Sequence, residues 1–447
     1  LTREGLRALL AAGAGASVDT RTLQAGEVFF GLPGHRAHGA AFASSALQKG
    51  AAAVVVPPDF ADDLPPEKTF PHEDPLALLQ EEAHLHRQRF PDVLVIAIGG
   101  SNGKTTTRAL LSHILAQAAP TLFTPKSWNN AIGLPLTLLR LRPEYRYAVV
   151  EIGDNHPGEV TALAQLVRPT WALLTNVGLD HLEGYGTYEA NLRTKWELIE
   201  ALSTYSPQPK AFLNREDTGL YALSESANCE VVFFGKGGAV TGEWVPHTWA
   251  ASTVHGWTYG EPFSVRVPLW GRFNRLNVLA AIAVARHIGL SWETIQNALE
   301  SFSPEWGRSQ IFQRSHQTII FDAYNANPSS FQASLESLWE MLQPSEKVGL
   351  ILGQMEELGS YAQTAHTAIL TCLEAHRDKI AGLALIGPLF RPSAMSITLE
   401  AAFYDEVETL LQTPPSWLST VPLLYLKGSR RVGLEKILDF AYKASQR

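Results

Sequence analysis

Val93-Leu-Val-Ile-Ala-Ile98-Gly99-Gly100-Ser101-Asn102-Gly103-Lys104-Thr105-Thr106-Thr107 sets the reading of the whole chain. Val93 to Ile98 is an apolar, β-branched run of strand length, and Arg108 to Ala116 carries a helical pattern. A glycine-rich turn between strand and helix lets successive backbone N–H groups face a phosphate. The helix N-terminus adds partial positive charge, a lysine neutralises the outer phosphates, and a hydroxyl reaches magnesium. Gly100, Ser101, Asn102, Gly103, Lys104, Thr105 and Thr106 are therefore candidate ATP contacts, with Thr105 as a magnesium ligand. The spacing is the compact G-x-x-G-K-T; the commoner Walker loop has a glycine where this chain has Ile98.

Outward from this loop the strand-then-helix rhythm repeats at Tyr147 to Ile152, Trp171 to Thr175 and Ala211 to Asn214, which argues a parallel sheet. A Gly-, Trp- and Thr-rich passage, Gly235 to Pro262, reads as antiparallel strands at its edge. Before the loop, Val28 to Phe30 and Ala52 to Val56 are short strands closed off by the Pro-rich stretch Pro57 to Pro75. After Arg308 the rhythm restarts at Thr318 to Phe321, Val348 to Leu352, Leu383 to Ile386 and Leu423 to Leu426. The expected fold is α/β in three domains: a small α/β domain (1–90), a central P-loop domain with a mostly parallel sheet (91–308), and a Rossmann-like, doubly wound domain (309–447).

Composition agrees with several cores. A chain of 447 residues exceeds the ~250 to 300 residues at which one core stops growing. The formal net charge of −8 leaves no broad basic footprint for nucleic acid. Two cysteines, Cys229 and Cys372, form neither a disulfide framework nor a metal-ligand spacing. No apolar run approaches the ~18 residues that span a bilayer, so a cytoplasmic protein is expected.

Ligands of open parallel sheets gather at the carboxyl ends of strands. Glu151 ends one strand, and Asn176, Asp180 and His181 follow the next. With the Thr105 hydroxyl these groups suit magnesium ions bridging ATP and a second substrate; alone, His181 reads equally as a capping histidine. Lys195 falls on the apolar face of the helical pattern Glu189 to Leu202, with Leu192, Ile199 and Leu202. Either its stem snorkels to solvent, or it is a neutral, nucleophilic amine able to take up carbon dioxide as a carbamate.

These residues resemble the Mur ligases of peptidoglycan synthesis, over nearly the whole chain. The resemblance runs through Asp19-Thr-Arg21, Gly100 to Thr107, Asn129-Asn130-Ala-Ile-Gly133, Glu151-Ile-Gly-Asp-Asn-His156, Asn176 to His181 and Lys195. It continues through Gly271-Arg-Phe-Asn274-Arg-Leu-Asn277, Gly307-Arg308, Asp322-Ala-Tyr324-Asn325-Ala-Asn327-Pro328, Gly353 to Gly359, His366 and Lys427-Gly-Ser429. The Tyr324 to Pro328 string and Gly353 to Gly359 point to the members that add D-alanyl-D-alanine to a UDP-N-acetylmuramoyl-tripeptide; the D-N-P-R string of the diaminopimelate-adding members is absent.

The resemblance implies an ATP- and magnesium-dependent ligase acting through an acyl phosphate, with Lys104, Glu151, His181 and Lys195 catalytic. Thr105 and Glu151 would hold one magnesium; Glu151, His181 and a carbamylated Lys195 would hold the second. Asn277, Arg308, Asp322 and Tyr324 would approach the nucleotide. Asp19, Arg21, Asn129, Asn130, Asn155, His156, Asn325 and Asn327 would contact the two substrates. A monomer is expected. Two departures stand out: Phe273 replaces a histidine of the G-x-H-N-x-x-N string, and His38-Gly39 stands where Asp-Gly follows the Gly34 turn. Folylpolyglutamate synthetases share the loop and metal set but lack a uridine-binding domain. A nucleotide-binding scaffold would not need Lys104, Glu151, His181 and Lys195 together, and a P-loop motor would need a Walker loop.

Overall fold

The computed structural model describes residues 1–34, 37–126, 128–178, 182–314 and 316–438. Three sheets organise them, and their central parallel strands, such as Leu94–Gly99, Tyr147–Glu151 and Val348–Gly353, are apolar runs buried on both faces, as parallel sheets covered by helices require. The first has four parallel strands in the order Ala16–Ser17, Val28–Phe30, Ala53–Val56, Thr69–Pro71. The last of these lies inside the Pro-rich stretch that reads from sequence as a closing segment. Pro75 then opens the helix Pro75–Gln88, its missing N–H harmless in the first turn and Asp74 accepting from the N–H groups of Leu76 and Ala77.

That helix fastens the first sheet to the second. Its last turn carries His86 and Arg87. Arg87 donates to the carbonyls of Val167 (3.1 Å), Phe90 (2.6 Å) and Arg168 (3.2 Å), and His86 Nε2 donates to Leu141 O (3.0 Å). Burial pushes the Arg87 guanidinium down to about 10, so it stays charged at neutral pH.

The second sheet orders its nine described strands Glu261–Val267, Ala251–Thr258, Val240–Thr248, Glu230–Phe234, Lys210–Asn214, Trp171–Leu174, Leu94–Gly99, Tyr147–Glu151, Thr121–Phe123. The first three are antiparallel to one another and form the expected edge; the rest run parallel. Leu94–Gly99 sits between Trp171–Leu174 and Tyr147–Glu151, so the P-loop leaves the sheet between the ends that carry Asn176 and Glu151. The helix Asn274–Ile288 is apolar all round, with Val278 to Ala285 wholly buried, because it lies between the P-loop helix Lys104–Ala118 and the sheet.

The third sheet orders Gln310–Arg314, Gln317–Asp322, Leu423–Lys427, Val348–Gly353, Ile380–Ile386 and Ala402–Tyr404. All pairs are parallel except the first, a hairpin that brings the chain in from Arg308. Asp322 and Lys427 are partners in register at the carboxyl end. Among the described residues no helix is long and apolar enough to cross a membrane.

Candidate active site

The P-loop takes its shape from two glycines. Gly100 (φ +120°) and Gly103 (φ +83°) adopt backbone conformations that L side chains avoid, and a Cβ on Gly103 would lie 2.2 Å from Asn277 Oδ1. Gly103 caps the helix Lys104–Ala118, aiming its first N–H groups into the loop. Lys104 Nζ folds back on the carbonyls of Gly100 and Ser101. Neighbouring strand ends brace the loop: Ser101 N donates to Asn176 O (2.8 Å), Asn102 N to Asn176 Oδ1 (3.1 Å), and Thr175 Oγ1 to Asn102 O (2.6 Å).

The loop opens on a cavity of about 840 Å³. Ser101 to Thr106 line it from below, and Asn277, Arg308, Asp322 and Tyr324 from the other side. Asn277 is fixed by Asn274 Oδ1, to which its Nδ2 donates (3.0 Å), and by Thr107 Oγ1, which donates to its Oδ1 (3.2 Å). Arg308 Nη2 donates to Thr105 Oγ1 (3.1 Å), with its guanidinium 4.4 Å from the Tyr324 ring centroid. Asp322 accepts from Lys427 Nζ (2.6 Å) and Ser309 Oγ (3.2 Å).

Glu151 is buried at the end of its strand. Its N–H donates to Thr124 Oγ1 (3.0 Å) and its Oε1 accepts from Asn129 Nδ2 (2.9 Å), while Oε2 is buried without a hydrogen-bond partner. Arg108 Nε stands 4.0 Å from that oxygen, and Arg108 Nη2 reaches both Glu305 oxygens at 2.7 Å. A buried carboxylate oxygen without a hydrogen-bond partner is an oxygen ligand of the kind a hard cation such as magnesium takes, and Thr105 lines the same cavity.

Of the other expected substrate contacts, Asn129, Asn130, Asn155, Asn325 and Asn327 line the cavity and His156 does not. His156 is exposed and faces Glu159 (3.3 Å). Asn130 Oδ1 is already engaged as a local cap, accepting from Ile132 and Gly133 N–H. Asp19 and Arg21 pair with each other on the first sheet's side, away from this cavity, and the Arg21 hydrogen bonds hold the Asp19 carboxyl below its ordinary value. His181 and Asp180 lie outside the described residues. Among the described residues no group of three His, Cys, Asp or Glu side chains gathers as a metal cluster.

Lys195 does not snorkel. It is buried in the helix Tyr188–Tyr205, its Nζ donating to Asp154 Oδ2 at 2.5 Å. Asp154 is a functional candidate that the sequence reading passed over; the signal available was a second carboxylate three residues after Glu151. Approach of the third unit to the nucleotide is expected from the sequence, but the contacts through which it meets the loop were not readable there. Asn327 Nδ2 donates to Asn102 Oδ1 (2.8 Å), and Asn102 Nδ2 donates to Ser329 Oγ (2.9 Å).

A compact phosphate loop at the end of a parallel sheet, closed over by a doubly wound unit, defines a P-loop nucleotide-binding fold with one cavity lined from both units. Family models match three segments: the Mur ligase family catalytic domain at residues 14–81, the Mur ligase middle domain at 98–285, and the Mur ligase glutamate ligase domain at 307–413. The UDP-N-acetylmuramoyl-tripeptide--D-alanyl-D-alanine ligase of Treponema pallidum is 31% identical, covering 95% of this chain and 92% of its own. Among solved structures, MurF from Acinetobacter baumannii superposes with a TM-score of 0.85 at 27% identity, covering 98% of both chains. The MurF ligase of Thermotoga maritima in complex with ADP gives 0.82 at 25% identity, covering 98% of this chain and 99% of that one. The chain belongs to the Mur ligase family.

Proposed function

We propose that this chain is the ATP-dependent ligase that joins UDP-N-acetylmuramoyl-tripeptide to D-alanyl-D-alanine, releasing ADP and phosphate. One observation carries the reading: the P-loop, Glu151 and the Asp322 to Asn327 segment open on a single cavity. The chain that builds it matches a ligase named for this reaction over 95% of its length.

The terminal carboxylate of the tripeptide attacks the γ-phosphorus of ATP in line, the bond to the bridging oxygen breaks, and an acyl phosphate and ADP result. Phosphoryl transfer asks for positioning and charge neutralisation rather than covalent help. Lys104 and the loop N–H groups hold the phosphates, with Arg308 and Asn277 at the nucleotide. The amine of D-alanyl-D-alanine then attacks the acyl carbon; phosphate leaves, and the amine gives up a proton. Magnesium, held by Thr105 and Glu151 with His181 at a second position, would neutralise charge on the phosphoryl oxygens.

The first domain (1–90) would take the uridine nucleotide, the second (91–308) ATP and the third (309–447) the amine. The Asn102, Asn327 and Ser329 contacts support a closure of the third unit that excludes water. A monomer working in the cytoplasm belongs to the same reading. The resemblance also implies a carbamate on Lys195; the Asp154 carboxylate at 2.5 Å does not fit one, and no step is routed through it.

Phosphate release from ATP and magnesium, measured with UDP-N-acetylmuramoyl-tripeptide with and without D-alanyl-D-alanine, tests the reading. Release that needs both substrates and yields the pentapeptide mass is expected. Release with a different acid or amine would keep the chemistry and discard these substrates, and no turnover despite ADP binding would discard the ligase.

A further inference from the structure

We propose that Asp154, rather than a carbamate on Lys195, supplies the second fixed carboxylate of the phosphoryl-transfer site, and that Lys195 works unmodified to hold it. The inference rests on the ligase reading above. Lys195 Nζ lies 2.5 Å from Asp154 Oδ2, and both side chains are only 1% exposed. The Tyr185 hydroxyl donates to the same oxygen, and Nζ stands 5.0 Å from the Tyr185 ring centroid. Two donors thus occupy Oδ2, while Oδ1 is buried with no hydrogen-bond partner.

Glu151, three residues earlier at the end of its strand, divides its oxygens in the same way: Oε1 is held by Asn129 and Oε2 has no hydrogen-bond partner. Both residues line the one cavity. Buried polar atoms are almost always satisfied, so two carboxylates that each anchor one oxygen and leave the other without a hydrogen bond, Glu151 Oε2 with only Arg108 Nε at 4.0 Å, point to a cation. Lys195 and Tyr185 then act as positioning residues, orienting Asp154 as outer groups orient metal ligands.

A carbamate suits this setting poorly. Its formation joins the lysine nitrogen to the carbon of carbon dioxide and releases a proton, replacing a cation by an anion. Until a cation binds, the new anion would face the Asp154 carboxylate where solvent is shut out, and like charges at that range repel strongly. Asp154 would also lose one of its two donors. As an ammonium, Lys195 forms a neutral pair with Asp154 and leaves Oδ1 for the cation.

The test uses the full chain with ADP. Carbon-13 NMR in labelled bicarbonate with magnesium is expected to show no carbamate resonance in the unmodified protein. A resonance present there and lost in Lys195→Arg would overturn the proposal, and would make Asp154 a latch that releases the lysine for modification. Mn2+ binding to the ADP complex, read by electron paramagnetic resonance, should weaken about 10- to 100-fold in Asp154→Asn. It should stay within about tenfold in Lys195→Arg, because arginine keeps the cation that pairs with Asp154. Unchanged Mn2+ binding in Asp154→Asn would also sink the idea. ADP affinity serves as the folding control, and failure of the unmodified protein to bind ADP would instead count against the ligase reading.

Discussion

Replacing Glu305 by alanine strands a charge next to the catalytic carboxylate. Arg108 is 0% exposed, and Nη2 meets both Glu305 oxygens at 2.7 Å. Its Nε and Nη1 have no hydrogen-bond partner. Removing one partner of a buried pair costs about 3–5 kcal/mol. Glu305 is itself 32% exposed, so water screens part of the interaction and about 2–3 kcal/mol is the expected loss. For a unit of this size that is a fall of about 5–10 °C in the melting transition that ADP protects.

A second consequence concerns the metal. With Glu305 gone, the carboxylate left in an ion pair with Arg108 among the described residues is Glu151, whose Oε2 is already 4.0 Å from Nε. At that separation, two unit charges attract by about 4 kcal/mol at an effective dielectric of 20, a gross figure that hydration reduces. The guanidinium therefore competes with a cation for Glu151, and the magnesium concentration for half-maximal turnover should rise about 10- to 100-fold in Glu305→Ala. Calorimetry and a magnesium titration read the two effects separately. A melt within 1 °C of the unsubstituted protein, together with superimposable magnesium curves, would refute the reasoning.

Three further predictions concern the third unit. Asn327 accepts from Ser330 N–H as the cap of the helix Pro328–Met341 and also bridges to Asn102. Asn327→Ser keeps the cap and loses the bridge, so it should melt normally while turnover falls about tenfold; Asn327→Ala should lose about 1 kcal/mol as well. Equal behaviour of the two variants in both assays would count against the separation. Lys427 is buried against Asp322, so Lys427→Met should cost about 2–4 kcal/mol in urea unfolding, part of it recovered by adding Asp322→Asn; no coupling between the two would contradict the pairing.

His366 accepts from Met355 N–H at Nε2 (3.0 Å) and donates from Nδ1 to Ala362 O (2.7 Å), which fixes it neutral; burial lowers it from its ordinary 6.5. The unfolded chain binds the proton more readily, so this contribution is complete above about pH 6.5 and is lost as pH falls below it. His366→Phe should remove that slope, and an unchanged difference curve would argue otherwise.

Much of this fold was readable because its strands announce themselves. Val93 to Ile98, Tyr147 to Ile152 and Val348 to Leu352 are apolar runs bounded by glycine, polar turns or helical patterns, and each forms a strand within a residue or so of its expected bounds. The short strands Thr121–Phe123 and Gln310–Arg314 were not readable, since an edge strand buries little and needs few apolar residues. Lys195 stood out as a charge on an apolar helical face. Its partner did not, because Asp154 lies 41 positions away and only the parallel sheet brings the two together. The same holds for Asn102 and Asn327, 225 positions apart: a loop pattern encodes the phosphate site, whereas a docking contact belongs to the tertiary structure alone.

Arg87, on the carbonyls of Val167 and Arg168, and His86, on that of Leu141, tie the helix Pro75–Gln88 to the second sheet's helical layer. A molecule anchored by its nucleotide end on the first sheet meets the γ-phosphate only if its own chain has the matching length. On the reading proposed above, such a tie would act as a ruler that favours one peptide length, and ligation measured with peptides one residue shorter and longer checks it.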